Sequence, residues 1–258
     1  MEMIGLEYID EDEGLKLLLK LIESQSAKGV NFIRGPKWAS IHCVGTAKKG
    51  RNLAMRAKLN KNIQYAIGIF HDAGKLFEPD PFHEVIGAWY AITHGEEFGL
   101  VRGSSAGGRK SELMHIASCI IADGPVYEEW TNNLYAGSKS RYDEGFDGKE
   151  GIERIRERLE KLRILLSPDG TPLSLEKLLL PSKMQQKISL VADMADVNIE
   201  EGTIGGMKTR FKDILQRYED PNHKDYNPVG AQSARMVMPR YYQIFEEVAE
   251  ETKLRVVE

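Results

Sequence analysis

The sequence predicts a mainly α-helical fold, on two observations. Apolar residues recur at helical spacing through most of the chain, and strand signals are scarce. Leu15, Leu18, Leu19 and Ile22 fall on one face of an early helix. Ile63, Ala66, Ile67 and Phe70 repeat at intervals of three and four, marking an amphipathic helix that ends at His71–Asp72, with Gly74 as its stop. A helix runs from near Phe82 to His94, closed by Gly95, and another from Ser111 to about Ala122. Ile152, Ile155, Leu159, Leu162 and Leu166 line a charged helix; further helices cover Lys187–Glu200, Lys208–Tyr218 and Gly230–Lys253. Only Val30–Ile33 and the turn around Pro168–Thr171 invite a hairpin.

The 258 residues suffice for one large domain, and no linker or internal repeat divides them. A single domain over 1–258 is expected, with long loops at 101–110, 131–149 and 219–229. A net charge of −4 supplies no global attraction to nucleic acid or anionic membrane, so a dedicated duplex binder is disfavoured. The acidic first residues, MEMIGLEYIDEDEG, do not read as a secretory leader, and no apolar run approaches the length that spans a bilayer. The two cysteines, Cys43 and Cys119, lie in apolar stretches and read as buried small hydrophobes. A cytoplasmic setting is the default expectation.

The chemistry gathers around Ala66-Ile-Gly-Ile-Phe-His71-Asp72-Ala73-Gly74-Lys75. Adjacent His and Asp at a helix end offer an imidazole nitrogen and a carboxylate oxygen to one metal, a set suited to zinc, iron, manganese or nickel more than calcium. His42 lies 29 residues earlier, where a preceding helix brings it alongside. Asp193 sits in the apolar run Val191-Ala192-Asp193-Met194-Ala195, an isolated carboxylate that needs a reason. His83 and His94 stand about 16 Å apart along one helix and cannot share an ion; neither can His115 and Asp123, about 12 Å apart. His94, His115 and His223 read as structural or solvated.

This ordered set, His42, His71–Asp72 and Asp193, with the HDxGK extension His71-Asp72-Ala73-Gly74-Lys75, resembles the HD-domain superfamily of metal-dependent phosphohydrolases. The resemblance spans about 38–200 and implies an HD-type helical bundle, leaving 201–258 as a C-terminal helical extension. It implies that these four residues ligate one divalent ion (Mn, Fe, Ni, Co, Zn or Mg) that holds a phosphate and a nucleophilic water. Dinuclear relatives add two histidines; His83 matches the first position, whereas Asp123 stands at the second, so a second ion on His83 and Asp123 is open.

On this reading Asp72 and Lys75 serve catalysis, and Lys75 with the loop cations Arg109 and Arg141 faces the anionic substrate, a small phosphorylated molecule of the nucleotide class. Glu84, next to His83, reads first as a solvated side chain, with orienting a ligand or relaying a proton as its functional alternatives. Trp130, Tyr135 and Tyr142 are candidates for stacking on a base, and Trp89 for the core. An HD-type single-strand nuclease and a non-catalytic regulatory module are the competing readings. Homo-oligomerisation stays open.

Overall fold

A computed structural model describes residues 7–26, 35–77, 82–102, 105–134 and 148–257. In chain order the elements are β1 (Glu7–Tyr8), α1 (Glu11–Ser26), α2 (Gly35–Arg56), α3 (Lys61–Phe70), α4 (Gly74–Phe77), α5 (His83–His94), β2 (Val101–Arg102), α6 (Ala106–Ile121), α7 (Val126–Thr131), α8 (Gly148–Leu165), α9 (Leu175–Leu179), α10 (Met184–Met194), β3 (Asp196–Asn198), β4 (Thr203–Gly205), α11 (Met207–Glu219), α12 (Pro228–Thr252) and β5 (Arg255–Val256). The protein is mainly α, as its periodicity predicts. β1 pairs antiparallel with β2; β4 pairs antiparallel with β3 and parallel with β5.

Local sequence explains the starts of the main helices. At α1, Asp10 and Glu13 cap each other's backbone N–H groups, and Glu11, Asp12 and Glu13 place negative charge at the positive end of the helix dipole. Asn60 caps α3, its Oδ1 accepting from Asn62 N at 3.0 Å and Ile63 N at 3.2 Å. Every residue from Ile63 to Phe70 is buried, so α3 runs through the interior.

Two apolar clusters organise the packing. The first gathers α1, α3, α5, α6 and α8 around Leu18, Ile67, Phe70, Ile86, Ile116, Ile120 and Ile155. The second joins α10, α11 and α12 through Val191, Phe211, Tyr241 and Val248. Helix α2 serves both, giving Cys43, Val44 and Ala47 to the first and Leu53 to the second. The seam between the clusters, where α2, α3 and α10 meet, is where the predicted ligands lie.

Several local expectations need correction. Gly74 does not stop a helix; it opens α4, and an added Cβ there would stand 1.9 Å from the His83 carbonyl oxygen, so its role is close approach to α5. The helix expected over Lys187–Glu200 ends at Met194, because Ala195 turns extended and Asp196–Asn198 pair with Thr203–Gly205. The loop expected at 101–110 contains β2 and the first turns of α6, with Ser105 accepting from Gly108 N. Residues 168–171 form no hairpin: Asp169 accepts from Ser167 Oγ and Thr171 N, holding a local turn instead. The Val30–Ile33 strand lies outside the described residues. Among the described residues, no helix is long and apolar enough to cross a membrane.

Candidate metal centre

Three segments deliver the ligating atoms. His42 comes from the middle of α2, His71 and Asp72 from the turn that follows α3, and Asp193 from the last turn of α10. His42 Nε2 lies 3.1 Å from Asp72 Oδ2, 3.1 Å from Asp193 Oδ1 and 3.3 Å from His71 Nε2. His71 Nε2 is 3.7 Å from Asp72 Oδ2 and 3.6 Å from Asp193 Oδ1. Among the described residues, His42, His71 and Asp72 meet the spacing of a tight metal-ligand trio, and Asp193 closes on the same two imidazoles.

The convergence depends on small residues. Gly68 lets α3 cross α2 so closely that an added Cβ would stand 2.4 Å from Ala47 Cα. Its carbonyl also accepts from His71 Nδ1–H at 2.7 Å, which leaves Nε2 as the nitrogen facing the other donors. Asp72 is held by its second oxygen: Lys75 Nζ donates to Oδ1 at 2.5 Å, and His83 Nε2 stands 3.0 Å away. Glu84 Oε1, 3.4 Å from His83 Nε2, steadies that imidazole in turn.

The donor set fits a divalent transition-type ion. Bonds of about 2.0–2.2 Å at tetrahedral angles separate neighbouring donors by about 3.3–3.6 Å, and the separations among His42, His71 and Asp72, 3.1, 3.3 and 3.7 Å, bracket that range, with Asp193 Oδ1 3.1 and 3.6 Å from the two imidazoles. Asp72 Oδ2 and Asp193 Oδ1 are both buried and receive no hydrogen bond of acceptable geometry. Buried carboxylate oxygens without a donor are costly, and a cation at this point removes the cost. Two imidazoles and two carboxylates form a borderline nitrogen–oxygen set, not a calcium cage.

Electrostatics show how the groups lean on each other. Burial alone lowers the pKa of His71, yet the Asp72 and Asp193 carboxylates outweigh it and raise the imidazole to about 10. Burial likewise works against a charged His42, and the same two carboxylates reverse the direction. Burial opposes ionisation of Asp72 and Asp193 too. Lys75 and His71 hold Asp72 well below the usual carboxylate range, and the neighbouring His42 and His71 imidazoles do so for Asp193. These protons and a metal therefore compete for the same lone pairs.

The remaining predicted residues are placed as follows. His83 contacts Asp72 and Glu84. Asp123, after α6, carries a buried Oδ1 without a hydrogen-bond partner; burial pushes its carboxyl up to about 7, His71 opposing the rise and Asp193 and Asp72 adding to it. Lys75 is bound to Asp72. Arg109 opens α6 and pairs with Glu96 at 3.0 Å, so its fixed partner is a carboxylate on the protein. Arg141, with Lys139, Tyr135 and Tyr142, lies outside the described residues. Trp130 packs edge-on against Phe82, at the start of α5, and Trp89 packs half-buried against the first core. His115 faces Gln185 at 2.6 Å.

Sequence reasoning missed Gly68 and Lys49. The signal for Lys49 was its position seven residues after His42, on the same face of α2. Its Nζ donates to Ala195 O at 2.8 Å, tying α2 to the end of α10.

The HD domain family model matches residues 40–117, a span that holds His42, His71, Asp72, Lys75 and His83, while Asp123 and Asp193 lie beyond it. No curated protein and no solved structure matches the chain. The matched segment is mainly helical and carries the His42–His71–Asp72 trio, and it is similar to HD domains over those residues.

Proposed function

We propose that this protein is a metal-dependent phosphohydrolase that cleaves a phosphoester or phosphoanhydride bond of a nucleotide. The observation that carries this reading is the convergence of His42, His71, Asp72 and Asp193 with two buried carboxylate oxygens that lack hydrogen-bond donors. A divalent ion bound by these residues supplies Lewis acidity toward a phosphoryl oxygen and acidifies water near neutral pH.

The chain's own residues set the geometry. His71 and Asp72, 2% and 4% exposed, form the floor; His42 and Asp193, 21% and 25% exposed, form the open edge from which a substrate approaches. Gly68 fixes the tautomer of His71. Lys75 and His83 both hold Oδ1 of Asp72, so Oδ2 turns toward His42. Lys75 is thus a positioning residue for Asp72, a narrower role than contact with substrate.

The test is a panel assay. Purified protein with Mn2+ is offered nucleoside mono-, di- and triphosphates and, separately, labelled single-stranded DNA. Release of phosphate or nucleoside from the small substrates, lost in Asp193→Asn, is the expected result. Cleavage of DNA alone points to a nuclease. Turnover of neither substrate with any divalent metal rejects the enzymatic reading and leaves a regulatory module.

A further inference from the structure

The cations expected to face the substrate are otherwise engaged among the described residues. Lys75 bonds Asp72 and Arg109 pairs with Glu96, while Arg141 lies outside the described residues. Lys49 lies on the His42 face of α2, and helical side chains lean toward the N-terminus, here toward His42. Its ammonium is anchored on the Ala195 carbonyl, two residues from Asp193, within the charge fields of Asp193, Asp196 and Arg210.

Arg210 lies in the first turn of α11, and the geometry brings that turn to the same place. Gly206, which precedes α11, sits so close to Asp196 that an added Cβ would stand 2.5 Å from Asp196 Oδ2. Arg210 N donates to Gly206 O at 2.8 Å. The Arg210 side chain is exposed and makes no ion pair among the described residues. A guanidinium with five donors, on the turn that Gly206 sets against Asp196, suits the oxygens of a phosphate.

We propose that Lys49 and Arg210 form the anion-binding edge of the site and take phosphoryl oxygens that the four ligating residues do not hold, selecting substrates with more than one phosphoryl group. This rests on the phosphohydrolase reading. It gives the C-terminal region, outside the matched HD segment, a direct part in substrate choice.

Calorimetric titration of pyrophosphate tests it, using wild type, Arg210→Gln, Lys49→Gln and the control Lys212→Gln, whose side chain is exposed on α11. Each protein is measured with Mn2+ and after EDTA treatment, with bound metal counted by elemental analysis. Arg210→Gln is expected to weaken pyrophosphate binding about tenfold, an effect that shrinks with added salt. Lys212→Gln is expected to match wild type. In turnover, Arg210→Gln should raise KM with little change in kcat. Equal affinity in Arg210→Gln and Lys212→Gln overturns the inference; if the metal count is intact, the phosphohydrolase reading survives that result. Loss of affinity in Arg210→Gln, with a wild type that binds pyrophosphate but retains no metal, supports the anion-binding edge and sinks the metal-dependent reading instead.

Discussion

Replacing Gly68 with alanine probes the contact on which the whole site depends. The new Cβ would stand 2.4 Å from Ala47 Cα, 2.7 Å from Ala47 N and 3.0 Å from Ala47 Cβ. Carbon atoms pack at about 3.5–4.0 Å, so α2 must retreat from α3 by about 1 Å. Two of the three obstructing atoms are backbone, so no rotamer change relieves the clash. Overpacking of this kind costs about 1–3 kcal/mol, and the better helix propensity of alanine returns about 1 kcal/mol, leaving a net loss of about 0–2 kcal/mol. His42 rides on α2 five residues before Ala47, so the same movement opens the 3.3 Å His42–His71 separation. Metal affinity should fall at least about tenfold, the low end of what displaced outer-shell support costs. The control is Gly45→Ala on the same helix, where the added methyl meets nothing within 4 Å and should stabilise by about 0.5–1 kcal/mol. Urea unfolding and metal titration of both variants read the two effects. If Gly68→Ala behaves like Gly45→Ala in both assays, the close crossing of α2 and α3 is not what assembles the site.

Three further outcomes follow from the same structure. In metal-free protein, Asp72 and Asp193 titrate below the ordinary 3.8 and His71 is raised from 6.5 to about 10. Their stabilisation is therefore fully present between about pH 4 and 6.5, falls as pH rises toward 10 through His71, and is lost in acid as the carboxylates protonate. The melting temperature of EDTA-treated protein should drop between pH 6.5 and 9, and a rise would contradict the pairing. Lys75→Met should lower metal affinity about tenfold by releasing Asp72 Oδ1, with kcat and metal occupancy falling together; unchanged affinity would show that the 2.5 Å bond plays no part in positioning. Asn60→Ala should cost about 1 kcal/mol through the lost cap of α3 without changing metal content, as chemical denaturation and elemental analysis will show.

What the sequence discloses is what depends on neighbours along the chain. Ile63, Ala66, Ile67 and Phe70 sit on a helix that is buried throughout, and Ile155, Leu159, Leu162 and Leu166 face the core from α8 and its C-terminal end. The isolated Asp193 in its apolar run indeed had a reason, since its Oδ1 reaches His42 on another helix. What stayed hidden depends on distant partners. Residues 195–200 carry no strong breaker, and they leave the helix because β4 offers them hydrogen bonds. Gly74 looks like a helix stop in isolation; only the carbonyl of His83 lying against it reveals a packing role. Arg109 reads along the chain as a loop cation facing an anion, but α6 begins early and sets it beside Glu96. His83 matches the first additional histidine position of dinuclear relatives, and the fold sets it against the far oxygen of Asp72, a contact that spacing along the chain cannot express.

The central claim is that His42, His71, Asp72 and Asp193 together hold one divalent ion. Metal counting on EDTA-stripped protein reconstituted with Mn2+ or Zn2+ at pH 7.5, followed by X-ray absorption on the loaded sample, tests it directly. At least one ion per chain is expected, with imidazole in its coordination sphere, and that ion is lost in His71→Gln and Asp193→Asn variants that remain folded by circular dichroism. A folded wild-type protein that retains no ion, or variants that keep it with the same coordination, would contradict it.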